Sequence, residues 1–282
     1  MQREAQFYDV KIHMDGIESM VKLRGGLRTI GLNHYLTHMV LWQVHQSASR
    51  ANLLTPNTTR VDYLYAAITN AKPRFPTSLF FSKQAHFPQP PASSPLKPVL
   101  PVHTISLDLE VILHQLRSAS QFLADIETSM TDLDFYAFGI KRAIILDSIL
   151  DLRARTPVDQ CCRDTAMLYV LTVMTSMNNG VCRDLVAGLR RNLEGLDLEM
   201  LWEEAPGLLF WMLLVGGGGA PSNADRVWFV ERLGMCLNRS KWEEVVERLE
   251  GWPWRPKHCG SWKMVWWDAV KVKEFGRVVE IS

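Results

Sequence analysis

Between Gly207 and Trp254 the chain reads GLLFWMLLVGGGGAPSNADRVWFVERLGMCLNRSKWEEVVERLEGWPW. An apolar run from Gly207 to Val215 enters four consecutive glycines. After a short loop, Arg226-x-Trp228-Phe229 opens a second helical segment, and Ser240-x-Trp242-Glu243 opens a third. The apolar run falls far short of the ~20 residues needed to cross a bilayer, so it reads as a core helix. Gly216 to Gly219 do not form a phosphate cradle. Such a loop places its glycines after a strand, and these follow an apolar helix and precede Ala220-Pro221. They predict a helix end and a flexible turn.

Helical periodicity extends along the rest of the chain. Val10, Met14, Ile17 and Val21 share one face, and Gly25-Gly26 closes that segment with residues that accept a left-handed cap cheaply. Leu32, Leu36, Met39 and Val40 make a second stripe. Ile105, Leu109, Ile112, Leu113 and Leu116 make a third, and Leu133, Tyr136, Ile140 and Ile144 a fourth. Start signals stand where these stripes need them. Thr131 precedes Asp134 by three, Thr156 stands before Pro157, and Ser240 pairs with Glu243 as a capping box. Sustained period-two alternation is missing throughout. The expected fold is all-α: one domain over residues 1–282, a compact irregular bundle of about ten helices.

Residues 50 to 104 interrupt the pattern. Eight prolines between Pro73 and Pro101 deny a continuous helix. The reading is a Pro-rich, exposed and mobile insert at residues 70–104, with a short helix over Val61–Thr69 before it.

Charge nearly balances, at +1 over 282 residues, and 47% of residues are hydrophobic, as in a soluble globular protein. DNA binding calls for a concentrated basic surface. The nearest approach is Lys257, His258, Lys263, Lys271, Lys273 and Arg277. Asp268, Glu274 and Glu280 dilute it, so it reads as a solvated face. Five cysteines in so long a chain give no disulfide framework, and the odd number leaves at least one free, so a reducing compartment is the natural one. Cys161 and Cys162 are adjacent, which is poor geometry for one ion, and Cys182, Cys236 and Cys259 are solitary. All five read as buried structural thiols. His34, His38 and His45 fall on one helical stripe but lack a further ligand to complete a metal set. No catalytic, cofactor or metal residue is assigned.

The order of three segments resembles the fungal-specific transcription-factor domain, the helical regulatory region that follows a zinc binuclear cluster. His13, Gly16, Met20, Leu23, Arg24 and Gly25-Gly26 are similar to one of its helix ends. Cys162, Arg163 and Tyr169 are similar to a second motif, and the Gly207–Trp254 order to its C-terminal half. The resemblance spans roughly residues 9 to 270. It implies a non-catalytic, nuclear transcription regulator (also found in the cytoplasm) that acts through other regulators or co-regulators, or through a small-molecule effector. Neither sequence-specific DNA contact nor membrane attachment is implied. The chain departs from the family pattern in having no C-x₂-C and no zinc cluster, basic linker or dimerising heptad before Met1. It therefore works without touching DNA, or is a truncated or relic fragment. The alternative class is a cytosolic helical enzyme or ligand carrier.

Ten tryptophans, nine of them in the last third, supply the candidate binding surface. Helical spacing places Trp211, Trp228 and Trp242 inside. Adjacent Trp266 and Trp267 cannot both face one core. A partner or ligand surface is therefore expected at Trp262, Trp266 and Trp267.

Overall fold

A computed structural model describes residues 105–275 except 127–130, 176–181, 237–240, 250 and 256–258, together with Gly16, Ser19, Leu23, Ala66 and Lys72. The chain divides into two compact units, Met1–Ala85 and His86–Ser282. In the first, Gly16, Ser19 and Leu23 are helical and exposed. Ala66, inside the helix expected over Val61–Thr69, is helical and buried. The stripe from Leu32 to Val40, the three histidines and all of the Pro-rich insert except exposed Lys72 lie outside the described residues.

The second unit is all-α, with nine α-helices and no strand among the described residues. They are α1 (Leu107–Ile126), α2 (Asp132–Asp151), α3 (Pro157–Tyr169), α4 (Arg183–Glu194), α5 (Leu198–Glu204), α6 (Pro206–Gly219), α7 (Asn223–Cys236), α8 (Trp242–Leu249) and α9 (Cys259–Phe275). A single π turn, Val170–Met174, continues α3.

Local chemistry sets several of the starts. At α2 the Asp134 amide donates to the Thr131 hydroxyl at 3.2 Å, and the Thr131 amide returns a bond to the Asp134 carboxylate at 3.1 Å. That closes a reciprocal capping box. Hydrogen bonding from Thr131 also holds the Asp134 carboxyl below its usual range. At α3 the Asp159 amide donates to the Thr156 hydroxyl at 3.0 Å, and Pro157 occupies the first turn. The Asp159 carboxylate is fully buried. It accepts from the amides of Ser106 at 2.9 Å and Arg155 at 3.1 Å, tying the start of α1 to the start of α3. Ser240, the expected cap of α8, lies outside the described residues.

The stripe on α1 is realised as Leu109, Ile112, Leu113 and Leu116, all buried. Ile105 precedes the helix and is half-buried. On α2, Ile144 is buried along with Ile145 and Ile149. The core centres on α6, which lies against α3, α4, α5, α7, α8 and α9. Leu208 through Leu214 have no exposed surface at all. Each large side chain buried in this way is worth about 1.5–3 kcal/mol. A helix apolar on every side is stable only when encased, and here it is.

The four glycines end their helix as expected, but they do so within it and not as a flexible turn. Gly216, Gly217, Gly218 and Gly219 form the last turn of α6, and their bare backbone is packed against other helices. A β-carbon on Gly216 would collide with the Phe229 ring of α7. On Gly217 it would sit 2.8 Å from Val265 of α9, on Gly218 2.7 Å from Trp262, and on Gly219 3.1 Å from Leu168 of α3. The glycines allow close approach of three helices, and conformational freedom is secondary.

Candidate partner surface on the last helix

Two aromatic series run through the second unit. The first is internal. Tyr169 on α3 has ring centroids 6.2 Å from Trp211 on α6 and 6.1 Å from Trp262 on α9. Trp211 stacks on Trp252 at 5.9 Å, and its indole N–H donates to the Pro253 carbonyl at 2.8 Å. The Ser120 hydroxyl donates to the Leu116 carbonyl at 2.7 Å. Tyr169, 2.8 Å from the same oxygen, is therefore the donor to Ser120. Burial pushes the Tyr169 phenol well above its usual range. This cluster holds α1, α3, α6 and α9 together.

The second series reaches the surface. Trp242 at the start of α8 lies 5.6 Å from Trp266, and Trp266 lies 5.7 Å from Trp267. Trp262 and Trp266 are 3% and 7% exposed, whereas Trp267 is 53% exposed. The three expected surface residues are thus not one patch. Trp262, Val265, Trp266 and Ala269 repeat at i, i+3, i+4 and i+7, and all four are buried, so this is the core face of α9. Trp267 stands one residue, about 100°, beyond Trp266, and that turns it outward. Trp211 and Trp228 are buried as expected. Trp242 is only half-buried, because it begins its helix at the edge of the core.

On the outward face, Met264 is 47% exposed, one turn before Trp267. Lys263 and Lys271 stand four residues before and after Trp267, so both share its stripe. The sequence reading had no place for Met264, although its i−3 spacing from Trp267 is the signal that finds it. On the inner side Asp268 pairs with Arg226 of α7 at 3.1 Å, both side chains nearly buried. Trp228 of α7 has the guanidinium groups of Arg190 and Arg232 each 5.7 Å from its ring centre.

The thiols have another character. Cys161, Cys162 and Cys182 are buried, Cys236 is half-exposed, and the side chain of Cys259 lies outside the described residues. Burial raises the Cys161 thiol to about 12 and the Cys182 and Cys236 thiols to about 11, and it pushes Cys162 up as well. A nucleophilic cysteine needs the opposite shift. Asp164 is also raised by burial, although Gln160 and Asn192 each donate to it at 2.7 Å. Among the described residues no group of three or more His, Cys, Asp or Glu is arranged to hold a metal ion. None of the described helices is long and apolar enough to cross a membrane.

Comparison with family models, curated proteins and solved structures returned no match for this chain.

Proposed function

We propose that this chain is a non-catalytic regulatory domain of the fungal transcription-factor type, acting in the nucleus through protein contacts and without sequence-specific DNA binding of its own. The observation that carries the partner-binding part is the exposed Trp267–Met264 stripe, on a helix whose opposite face is core. Large aromatics are favoured anchors of protein interfaces because they bury much area for few torsions.

The transcriptional part rests on the resemblance carried by Cys162, Arg163, Tyr169 and the Gly207–Trp254 order. These residues are used as scaffold. Cys162 and Tyr169 are fully buried, and Arg163 donates to the Ile149 carbonyl at 3.0 Å. The raised thiols speak against a nucleophilic cysteine at these positions.

The test is to tether the chain to a heterologous DNA-binding domain and read a reporter gene, beside a gel-shift series with the chain alone. The expected outcome is altered transcription when tethered and no sequence-selective binding at ~150 mM salt, where non-specific electrostatic association is weak. Nanomolar, sequence-selective binding by the chain alone, or a tethered chain without effect, overturns the proposal.

A further inference from the structure

The outward stripe of α9 carries more than hydrophobic surface. Lys263, Met264, Trp267 and Lys271 repeat at i, i+1, i+4 and i+8, and in a helix these positions form one continuous strip. Trp267 and Met264 are about half exposed, Lys263 is exposed and Lys271 partly so. Neither lysine has an ion-pair partner among the described residues. The nearest acid by sequence on the inner side, Asp268, is already taken by Arg226. Glu274 is the one acidic residue at the far end of the stripe. The chain as a whole is nearly neutral, so an aromatic beside two cations without an ion-pair partner among the described residues is a local feature.

We infer that this stripe receives an acidic amphipathic segment of a partner protein. Its apolar side chains would cover Trp267 and Met264, and its carboxylates would face Lys263 and Lys271. The charge complementarity decides the occupant. An uncharged helix would gain nothing from the two solvated ammonium groups, and a basic one would be repelled. Carboxylates placed a turn to either side of an apolar anchor match the spacing of the two lysines about Trp267. Arginine-type forked geometry is absent, and lysine acts here as a point charge, so the pairing tolerates varied carboxylate positions. The inference rests on the reading of the chain as a partner-binding domain and names the chemistry of the partner.

The experiment uses the full chain and a labelled 20-residue helical peptide in which Asp and Glu alternate in helical register with Leu and Phe. Fluorescence anisotropy follows binding at ~50 and ~150 mM salt, spanning a large change in electrostatic screening. The expected result is saturable binding that weakens with salt. It should weaken about tenfold or more in Trp267→Ala, and again in the double variant Lys263→Glu, Lys271→Glu. Trp267 is about half exposed, Lys263 exposed and Lys271 partly exposed, so these variants should keep the circular dichroism spectrum of the parent. Lys241→Glu, an exposed change off the stripe, should bind as the parent does. The inference is overturned if a charge-reversed basic peptide or a single-stranded oligonucleotide of equal charge binds as tightly. It is equally overturned if the acidic peptide binds Trp267→Ala unchanged, or if the stripe instead mediates self-association that Trp267→Ala abolishes. A tethered chain that alters transcription while failing to bind the acidic peptide removes this inference and leaves the proposed function standing.

Discussion

Replacing Gly216 by alanine sets two ordinary effects against each other, and the structure decides which wins. In a helix interior the change should stabilise by about 1 kcal/mol, because alanine loses less backbone entropy. At Gly216 the new methyl would fall on the Phe229 ring, with two further ring carbons at 2.7 and 2.8 Å. Phe229 has no exposed surface and cannot swing aside into solvent. Overpacking of this kind costs about 1–3 kcal/mol, and the overlap with three atoms of one rigid ring puts it at the upper end. The net expectation is a loss of about 1–2 kcal/mol, or roughly 2–8 °C in Tm for a domain of this size. Gly139 on α2 is the control, since a β-carbon there meets nothing within 4 Å. Gly139→Ala should stabilise by about 0.5–1 kcal/mol. Thermal unfolding followed by circular dichroism, with both variants beside the parent, reads the two signs directly. Adding Phe229→Leu to Gly216→Ala should also cost less than the two changes do separately, because they share one contact. If Gly216→Ala stabilises as Gly139→Ala does, the close approach of α6 and α7 is not what the glycine is for.

Two further outcomes follow from the buried polar groups. Arg226→Met alone should cost about 2–4 kcal/mol by leaving Asp268 buried and unpaired, and adding Asp268→Leu should recover most of it. Additive losses in urea unfolding would refute the coupling. The thiols of Cys161, Cys162, Cys182 and Cys236 are all raised in the folded chain. Raised groups contribute stability that is complete below their unfolded values near 9 and is lost as pH climbs toward about 11 to 12. Stability should therefore fall above pH 9 by up to about 1.4 kcal/mol per pH unit for each fully protected thiol. Urea midpoints that do not change between pH 8 and 10 would contradict the burial assigned to them.

The helical class and many of the starts were legible because their causes are local. Thr131 with Asp134, and Thr156 with Pro157, act within three residues of each other, and the stripe from Leu109 to Leu116 needs only a core to face. What escaped depends on distant partners. Asp159 bonds the amide of Ser106 across 53 positions, and Arg226 meets Asp268 across 42. Neither spacing leaves a mark in the sequence. The glycine quartet marks the helix end that the sequence predicts, but its packing role stays hidden, because a glycine that ends a helix and one that lets helices touch look alike until the neighbour is known. The π turn after Tyr169 was not foreseen either. Val170, Thr172 and Val173 are β-branched, but such residues occur in α-helices as well, so composition alone did not mark it.

The aromatic residues show where legibility stops and why that bears on function. Adjacency alone establishes that Trp266 and Trp267 diverge, but choosing between them requires the core face. Trp262, Val265, Trp266 and Ala269 fix that face through a spacing already present in the sequence. Once they are assigned inward, Trp267, Met264, Lys263 and Lys271 fall together on the outside with no further assumption. In the second unit, several described motif residues behind the resemblance face inward: Tyr169 against Trp211 and Trp262, Phe229 against Gly216, and Arg226 against Asp268. Such residues specify how helices pack, and one packing is compatible with many partners. Under the proposed partner-binding reading, the determinants of binding lie among residues the motif leaves free. On α9 these form a strip with one aromatic anchor, one flexible thioether and two cations, so changing that strip should alter the partner while leaving the fold intact.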